Sequence, residues 1–263
     1  MSDAPQSLAI IGAAGRMGAS LLANVAPRVR QEAVLAVISS DKSLTVGPQN
    51  LDTTSRLDAV ASVDVAIDFS SPQGAVNAAI ACGHHGVPLV SGTTGLSAEQ
   101  QERVDKATAS IPYLYAANFS VGVNLLSHLV EKAASAFGDQ VDIEIFEAHH
   151  RHKVDAPSGT AKMLGRAAAR GRELQLDDVA TWARQGHTGE RSDDEIGFQV
   201  LRGGDIVGEH TAYFCVDGER IELSHRATDR GIFARGALRA AQWLGDQAPG
   251  RYDMSDVLFG DAS

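Results

Sequence analysis

The strongest constraint on this chain is a rhythm of apolar runs. Residues 8–11, "LAII", form a short continuous apolar run, and "GAAGRMG" follows at once over Gly12–Gly18. Such a run reads as a strand buried on both faces, as in parallel sheets. Residues 16–26 then read as a helix, and 33–38, "AVLAVI", as a second buried strand. The pattern returns at 63–69, "VDVAIDF", with a helical segment after Pro72. It returns again at 87–91, "VPLVS", followed by "GTTG" and a polar helix from about Ser97 to Ala109, and again at 113–120, "YLYAANFS". Strands alternating with helices predict an α/β, doubly wound parallel sheet.

After about residue 120 the rhythm changes. Residues 124–137 carry apolar positions at helical spacing. "VDIEIFEAHH" alternates at period two, with Val141, Ile143 and Ile145 on one face and Asp142 and Glu144 on the other, the mark of a half-buried strand. Further strands are predicted at 196–202, 206–216 and 219–226; Asp217-Gly218 joins the last two as a hairpin, and Gly203-Gly204-Asp205 joins the previous pair. This half reads as an α+β domain with a mostly antiparallel sheet. Helical periodicity resumes at 231–245, and the polar stretch 183–195 reads as a mobile loop.

Composition narrows the function. With 263 residues, 44% of them hydrophobic, the chain can bury a large core in one large domain or two modest ones. A formal net charge of -10 argues against nucleic acid as a general partner, because phosphate binding needs a basic face. No apolar stretch approaches the roughly 20 residues of a membrane helix, and the first residues lack the basic region of a signal peptide. The two cysteines, Cys82 and Cys215, make neither a disulfide framework nor a CxxC metal motif. These features predict a soluble, cytoplasmic protein in a reducing compartment, with no membrane partner.

"GAAGRMG" stands between a strand and a helix, the setting a dinucleotide-binding loop requires. Gly12 allows the tight turn, Gly15 lets backbone N–H groups approach a pyrophosphate at the helix N-terminus, and Arg16 suits a phosphate or adenine. The spacing is GxxGxxG rather than GxGxxG, so a merely structural turn competes with this reading. Three more strand ends add to it: Phe69-Ser70-Ser71, Gly92-Thr93-Thr94 and Ala117-Asn118-Phe119. Past the second strand, where NAD-preferring sites place an acid, stand Ser39-Ser40-Asp41-Lys42. The serines and Lys42 tolerate a 2′-phosphate, and Asp41 suits a ribose hydroxyl only if the register slips. The expectation is NADPH, with NADH second.

The stretch "EAHHRHKVDAPSGTA", Glu147–Ala161, packs three histidines, an arginine and a lysine into five consecutive residues of an acidic chain. A helical pattern starts just after it. Ser158 suits an N-cap, so Gly159 and Thr160 would present backbone N–H groups to an anion beside a basic cluster. Three readings stay open: a substrate or catalytic site for a small carboxylate, a solvated basic turn, and a zinc site. His149, His150 and His152 have neither helical i, i+4 spacing nor a nearby cysteine pair, which weighs against metal. His84, His85, His128, His187 and His210 read as structural or solvated, and His225 is ambiguous beside Arg226 and Arg230.

The same residues carry a family resemblance. "EAHHRHKVDAPSGTA" resembles the signature of the dihydrodipicolinate reductases, and "GAAGRMG", "DFSSPQG", "SGTTGL", "AANFSVGVN", "GHTGER" and "RGGDIVGEHTAYF" occur in that family's order along nearly the whole chain. The resemblance implies an NAD(P)H-dependent oxidoreductase that reduces 4-hydroxy-tetrahydrodipicolinate, a small cyclic dicarboxylate, on the diaminopimelate route to lysine. It implies a Rossmann domain over 1–120, completed by 231–263, and a substrate and tetramerisation domain over 121–230 of a homotetramer. It implies that Gly12, Ala13, Ala14, Gly15, Arg16 and Met17 hold the pyrophosphate. Gly92, Thr93, Thr94, Ala116, Ala117, Asn118 and Phe119 would lie along the nicotinamide side, with Phe69 at a neighbouring strand end. His149 is implied as proton donor with Lys153 assisting or sharing that role, and His150, Lys153, Ser158, Gly159 and Thr160 as carboxylate holders. Ser39 and Ser40 depart from the acid-arginine pair of many relatives, which weakens NADH. The rivals are another NAD(P)H reductase of imines or aldehydes, and a dinucleotide sensor without turnover.

Overall fold

The computed structural model describes residues 5–25, 31–38, 43–44 and 51–260. They divide into two compact units, Met1–Val121 with Gly231–Ser263, and Gly122–Arg230.

The first unit holds a parallel sheet of seven strands, β1 (Gln6–Ile11), β2 (Gln31–Val37), β3 (Asp52–Thr54), β4 (Val65–Asp68), β5 (Leu89–Ser91), β6 (Pro112–Tyr115) and β12 (Gly250–Tyr252). Their order is β12-β6-β5-β4-β1-β2-β3, so the direction of winding reverses between β1 and β4. In open α/β sheets ligands bind outside the strand ends at such a reversal. The apolar runs are continuous because both faces are covered. Leu8 and Ile10 pack with α1 (Arg16–Asn24), α7 (Gly231–Leu244) and α8 (Met254–Phe259), while Ala9 and Ile11 pack with α2 (Pro72–His85) and α3 (Ala98–Ala107). Pro72 opens α2 behind the N-cap Ser71, and a capping box between Ser97 and Gln100 opens α3. The fifth predicted strand is shorter than its apolar run: it stops at Tyr115, and Asn118 Oδ1 then accepts from Ser120 N at 2.8 Å, turning the chain. The edge strand β12 carries no period of its own and was not predicted.

The second unit packs α4 (Val121–Phe137) and α5 (Gly159–Gly171) on one face of a five-stranded sheet, ordered β11-β10-β7-β9-β8. The strands are β7 (Asp142–His149), β8 (Ala180–Thr181), β9 (Ile196–Arg202), β10 (Gly208–Val216) and β11 (Glu219–Ala227), and a short helix, α6 (Leu176–Val179), precedes β8. The antiparallel pairs are β11-β10 and β10-β7, with Asp217-Gly218 turning the first. One pairing differs from the sequence reading. Gly203-Gly204-Asp205 connects β9 to β10 without making them partners: β7 lies between them and pairs parallel to β9. Strand β7 is the central, most buried strand and accepts neighbours on both edges. The stretch 183–195 forms neither helix nor strand and carries two arginines bonded to the second sheet. Arg184 forks onto Glu144 at 2.6 and 2.9 Å and pairs with Glu195, while Arg191 reaches Asp142 at 2.8 Å and Ile143 O at 3.1 Å.

Candidate active site

In the first unit the glycine loop, the β4 end, the β5 end and the β6 end come together. Gly12 has φ +79°, and a Cβ there would lie 2.6 Å from Phe69 O, so the turn admits only glycine. Gly12 N donates to Val37 O at 2.9 Å and Gly15 N to Gly12 O at 2.9 Å, closing the turn. Ala13 is buried, while Ala14, Gly15 and Arg16 are exposed at the start of α1, with Met17 half-buried behind them. The backbone and the N-terminus of a nine-residue helix are thus bared where a pyrophosphate would sit. Ser39 and Ser40 lie outside the described residues.

Asp68, which the sequence did not mark, organises the neighbouring ends. It has no exposed surface. Thr93 Oγ1 donates to it at 2.7 Å, Ser91 Oγ at 3.0 Å and Ser70 N at 3.2 Å. Burial raises its pKa, and the bonds from Ser70, Thr93 and Ser91 only partly offset this. The carboxyl ties the β4 end to Thr93, next to Gly92 and Thr94. Phe69 meets Phe119 edge-on at 5.4 Å, and its ring fills the space a side chain at Gly92 would need. Ala116 N donates to Ser91 O at 3.2 Å, which sets Ala117 and Asn118 beside the β5 end.

In the second unit the apolar face of the sheet turns polar at one end. Ile143 and Ile145 are buried on β7, and by the same alternation Glu147 and His149 follow them onto that face. Opposite Glu147 stands His210 on β10, and opposite His210 stands His225 on β11. Glu147 is completely buried. Its carboxylate faces His149 Nδ1 at 2.6 Å, accepts both Arg202 Nη atoms at 2.7 Å, and accepts Ser158 N at 2.9 Å. Burial alone would raise its pKa, but the bonds from His149, Arg202 and Ser158 outweigh it and bring the value down to about 2.

Ser158 caps α5, accepting from Ala161 N at 3.1 Å, and its hydroxyl meets His210 Nε2 at 3.0 Å. His210 is buried, 5.1 Å ring to ring from His149, and burial followed by the charge of His149 lowers its pKa to about 3. The sequence set His210 among the structural or solvated histidines; the alternation of β10 buries it, beside His149. His150 Nε2 accepts from Arg230 at 3.2 Å, which puts the ring hydrogen on Nδ1, a buried atom with no protein partner. The buried Nδ1 atoms of His210 and His225 are likewise unpartnered. Lys153 Nζ is bonded to Asp155 at 2.7 and 2.9 Å, within the same loop. Gly159 opens α5 with space above it: a Cβ there meets nothing within 4 Å, and Thr160 follows. Among the described residues no group of three or more His, Cys, Asp or Glu is arranged to hold a metal ion.

Sequence reasoning therefore found the contiguous half of this cluster and missed Glu147, Arg202, His210 and Arg230. The parity of β7 was the available signal for Glu147: three apolar residues at period two, then a carboxylate in register with them. Arg202 carries no local signal, since it is 55 residues from its partner.

Residues 6–119 match the family described as "Dihydrodipicolinate reductase, N-terminus", and residues 122–258 match "Dihydrodipicolinate reductase, C-terminus". The chain is similar to the 4-hydroxy-tetrahydrodipicolinate reductase of Acinetobacter baumannii (strain AYE), 47% identical over 98% of this chain and 97% of that protein. It is similar to the protein of the same name from Bordetella parapertussis, 45% identical over 97% of each. In fold it is similar to the dipicolinate-bound dihydrodipicolinate reductase of Paenisporosarcina sp. TG-14, with a TM-score of 0.76 at 23% identity, covering 95% of this chain and 97% of that one. A more distant likeness of fold is to an amine dehydrogenase of Mycobacterium smegmatis, with a TM-score of 0.58 at 12% identity over 95% of each chain. Matched from end to end by both halves of one family, and close to half identical to relatives of nearly equal length, the chain belongs to the dihydrodipicolinate reductases, a family of oxidoreductases.

Proposed function

We propose that the chain performs its family's reduction of 4-hydroxy-tetrahydrodipicolinate in lysine and diaminopimelate biosynthesis with His149 as the proton donor. The observation that carries the reading is the polar end of the β7 face. There an imidazole held on a buried carboxylate lies beside a helix N-terminus and buried histidine ring nitrogens that lack protein partners.

A nicotinamide dinucleotide is the hydride source. Gly12, Ala13, Ala14, Gly15, Arg16 and Met17 would hold its pyrophosphate, and Phe69, Gly92, Thr93, Thr94 and Ala116–Phe119 would line the rest of its site. The fit rests on the bare backbone of the loop, where a side chain at Gly12 would strike Phe69 O. By residue type Ser39, Ser40 and Lys42 tolerate a 2′-phosphate, so NADPH is the preferred form.

Reduction of a ring bearing two carboxylates concentrates negative charge. His150, Lys153, Ser158, Gly159 and Thr160 answer it with an imidazole N–H, an ammonium and the first N–H groups of α5. Once the 4-hydroxyl has left as water and hydride has added at C4, His149 would give its Nε2 proton to C3 of the resulting enamine, with Lys153, released from Asp155, assisting. The substrate-binding face belongs to Gly122–Arg230, and the protein assembles as a cytoplasmic homotetramer through the other face of the same sheet, where Phe146, Tyr213 and Leu201 are partly exposed. Among the described residues no helix is long and apolar enough to cross a membrane.

The test is oxidation of NADPH and NADH followed by near-ultraviolet absorbance, with the unstable substrate generated in the cuvette from pyruvate and aspartate semialdehyde by its synthase. Oxidation that depends on the synthase is the expected result. A preference for NADH of about tenfold or more, 1.4 kcal/mol, would overturn the NADPH assignment. Binding of NADPH without oxidation would favour a sensor.

A further inference from the structure

We propose that Glu147 is a positioning residue that sets the protonation of His149 and couples it to the carboxylate site at the start of α5. The inference rests on His149 being the proton donor. Its own basis is geometric.

A carboxylate offers about four acceptor positions. Glu147 fills them with four donors: His149 Nδ1 on Oε2, Ser158 N on Oε1, and one Arg202 Nη on each oxygen. A carboxyl group so occupied has no room for a proton of its own. It stays ionised and accepts only. His149 must then keep its hydrogen on Nδ1, which leaves Nε2 as the atom that takes up and gives away the catalytic proton. The imidazole is further fixed by its surroundings: a Cβ at Gly208 would lie 3.1 Å from Nε2, so a glycine there makes room for the ring.

The charges around His149 come from every neighbouring element. Glu147 on β7 is the anion in contact. Arg202 on β9 shares that anion. His210 on β10 stands edge-on at 5.1 Å and is kept neutral by burial, and His225 on β11 lies behind it. Lys153 and Asp155 neutralise each other on the loop. Glu147 is therefore the anion in contact with the ring, and Arg202 shares its charge from the other side. The second oxygen of Glu147 holds Ser158 N, so one side chain registers the proton donor against the anion-binding helix end.

The test compares Glu147→Gln, Arg202→Gln and His149→Gln with the wild-type enzyme. It reads nitrogen-15 shifts of histidine-labelled protein together with kcat and KM against pH; His149→Gln identifies the signals. In wild type, Nδ1 of His149 should carry the hydrogen. In Glu147→Gln the amide N–H₂ faces Nδ1, so the hydrogen should move to Nε2. With it, kcat should fall about 100-fold, within the range for loss of a general acid, while KM rises less than about fivefold. The alkaline limb of kcat should move to lower pH in Glu147→Gln and to higher pH in Arg202→Gln, where Glu147 keeps His149 but loses its competing cation. An unchanged tautomer in Glu147→Gln, or limbs that move the same way in both variants, would overturn the proposal. If Glu147→Gln fails to fold, the wild-type tautomer and the Arg202→Gln limb decide it. A tautomer that moves while turnover stays within about threefold, under 1 kcal/mol, would instead remove His149 as the donor and leave the hold of Glu147 on the ring standing.

Discussion

Glu147 occupies a position on β7 where the alternation set by Ile143 and Ile145 calls for an apolar side chain. Burying an ion there is costly unless every lone pair is answered, and the donors on Glu147 answer them. The contiguous half of the cluster was legible because its residues follow one another: His149, His150, Lys153 and Ser158–Thr160 stand in one run. Their partners were not, because Arg202 and His210 reach the site only through strand pairing. At this scale the sharpest expectation concerns His149 itself. His149→Gln should lower kcat by about 100-fold or more with little change in KM, since the lost interaction belongs to the transition state. Steady-state kinetics with the synthase-coupled substrate checks it.

Helix α7 shows how far an element can be legible while its neighbour is not. Its apolar period announces a helix over 231–245, yet nothing local says what it packs on. In the structure it lies in the first unit against α1, β4, β5 and β6. Gly236 sits so close to the Ala116–Phe119 turn that a Cβ would overlap Phe119 O. Gly236→Ala should therefore cost about 1–3 kcal/mol, the usual cost of overpacking, and weaken dinucleotide binding by displacing that turn. Thermal melting with and without NADPH would show both; an unchanged melting temperature would mean that α7 shifts without penalty. The β9–β10 connection is the converse case. Its glycines were legible, but the pairing of β9 with β7 rather than with β10 was not.

For the whole molecule, the polar end of the second sheet predicts acid sensitivity. His210 has a folded pKa of about 3, below the ordinary histidine value of 6.5. The unfolded chain therefore takes its proton first, and stability is full above about pH 6.5 and falls towards pH 3. Glu147, at about 2 against an ordinary 4.5, adds a second loss that begins near pH 4.5. Each group contributes a slope of at most about 1.4 kcal/mol per pH unit. Chemical denaturation across this range should show stability declining from about pH 6.5, and His210→Gln should make the upper part of the decline shallower. An undiminished upper slope in that variant would mean that His210 is protonated in the folded enzyme.

By itself the sequence determined what depends on neighbours along the chain. The strand and helix rhythm of the first unit, the turn at Gly12, the hairpin at Asp217-Gly218 and the cap at Ser158 all follow from side-chain period and from local backbone chemistry. The tertiary structure alone decided which distant groups share a low-dielectric space. It put Asp68 under Thr93 and Ser91, paired β9 with β7, and brought Arg202 and His210 to Glu147 and His149. Proton affinities and strand partners are set by burial and by charges across space, and those quantities exist only once the chain has folded.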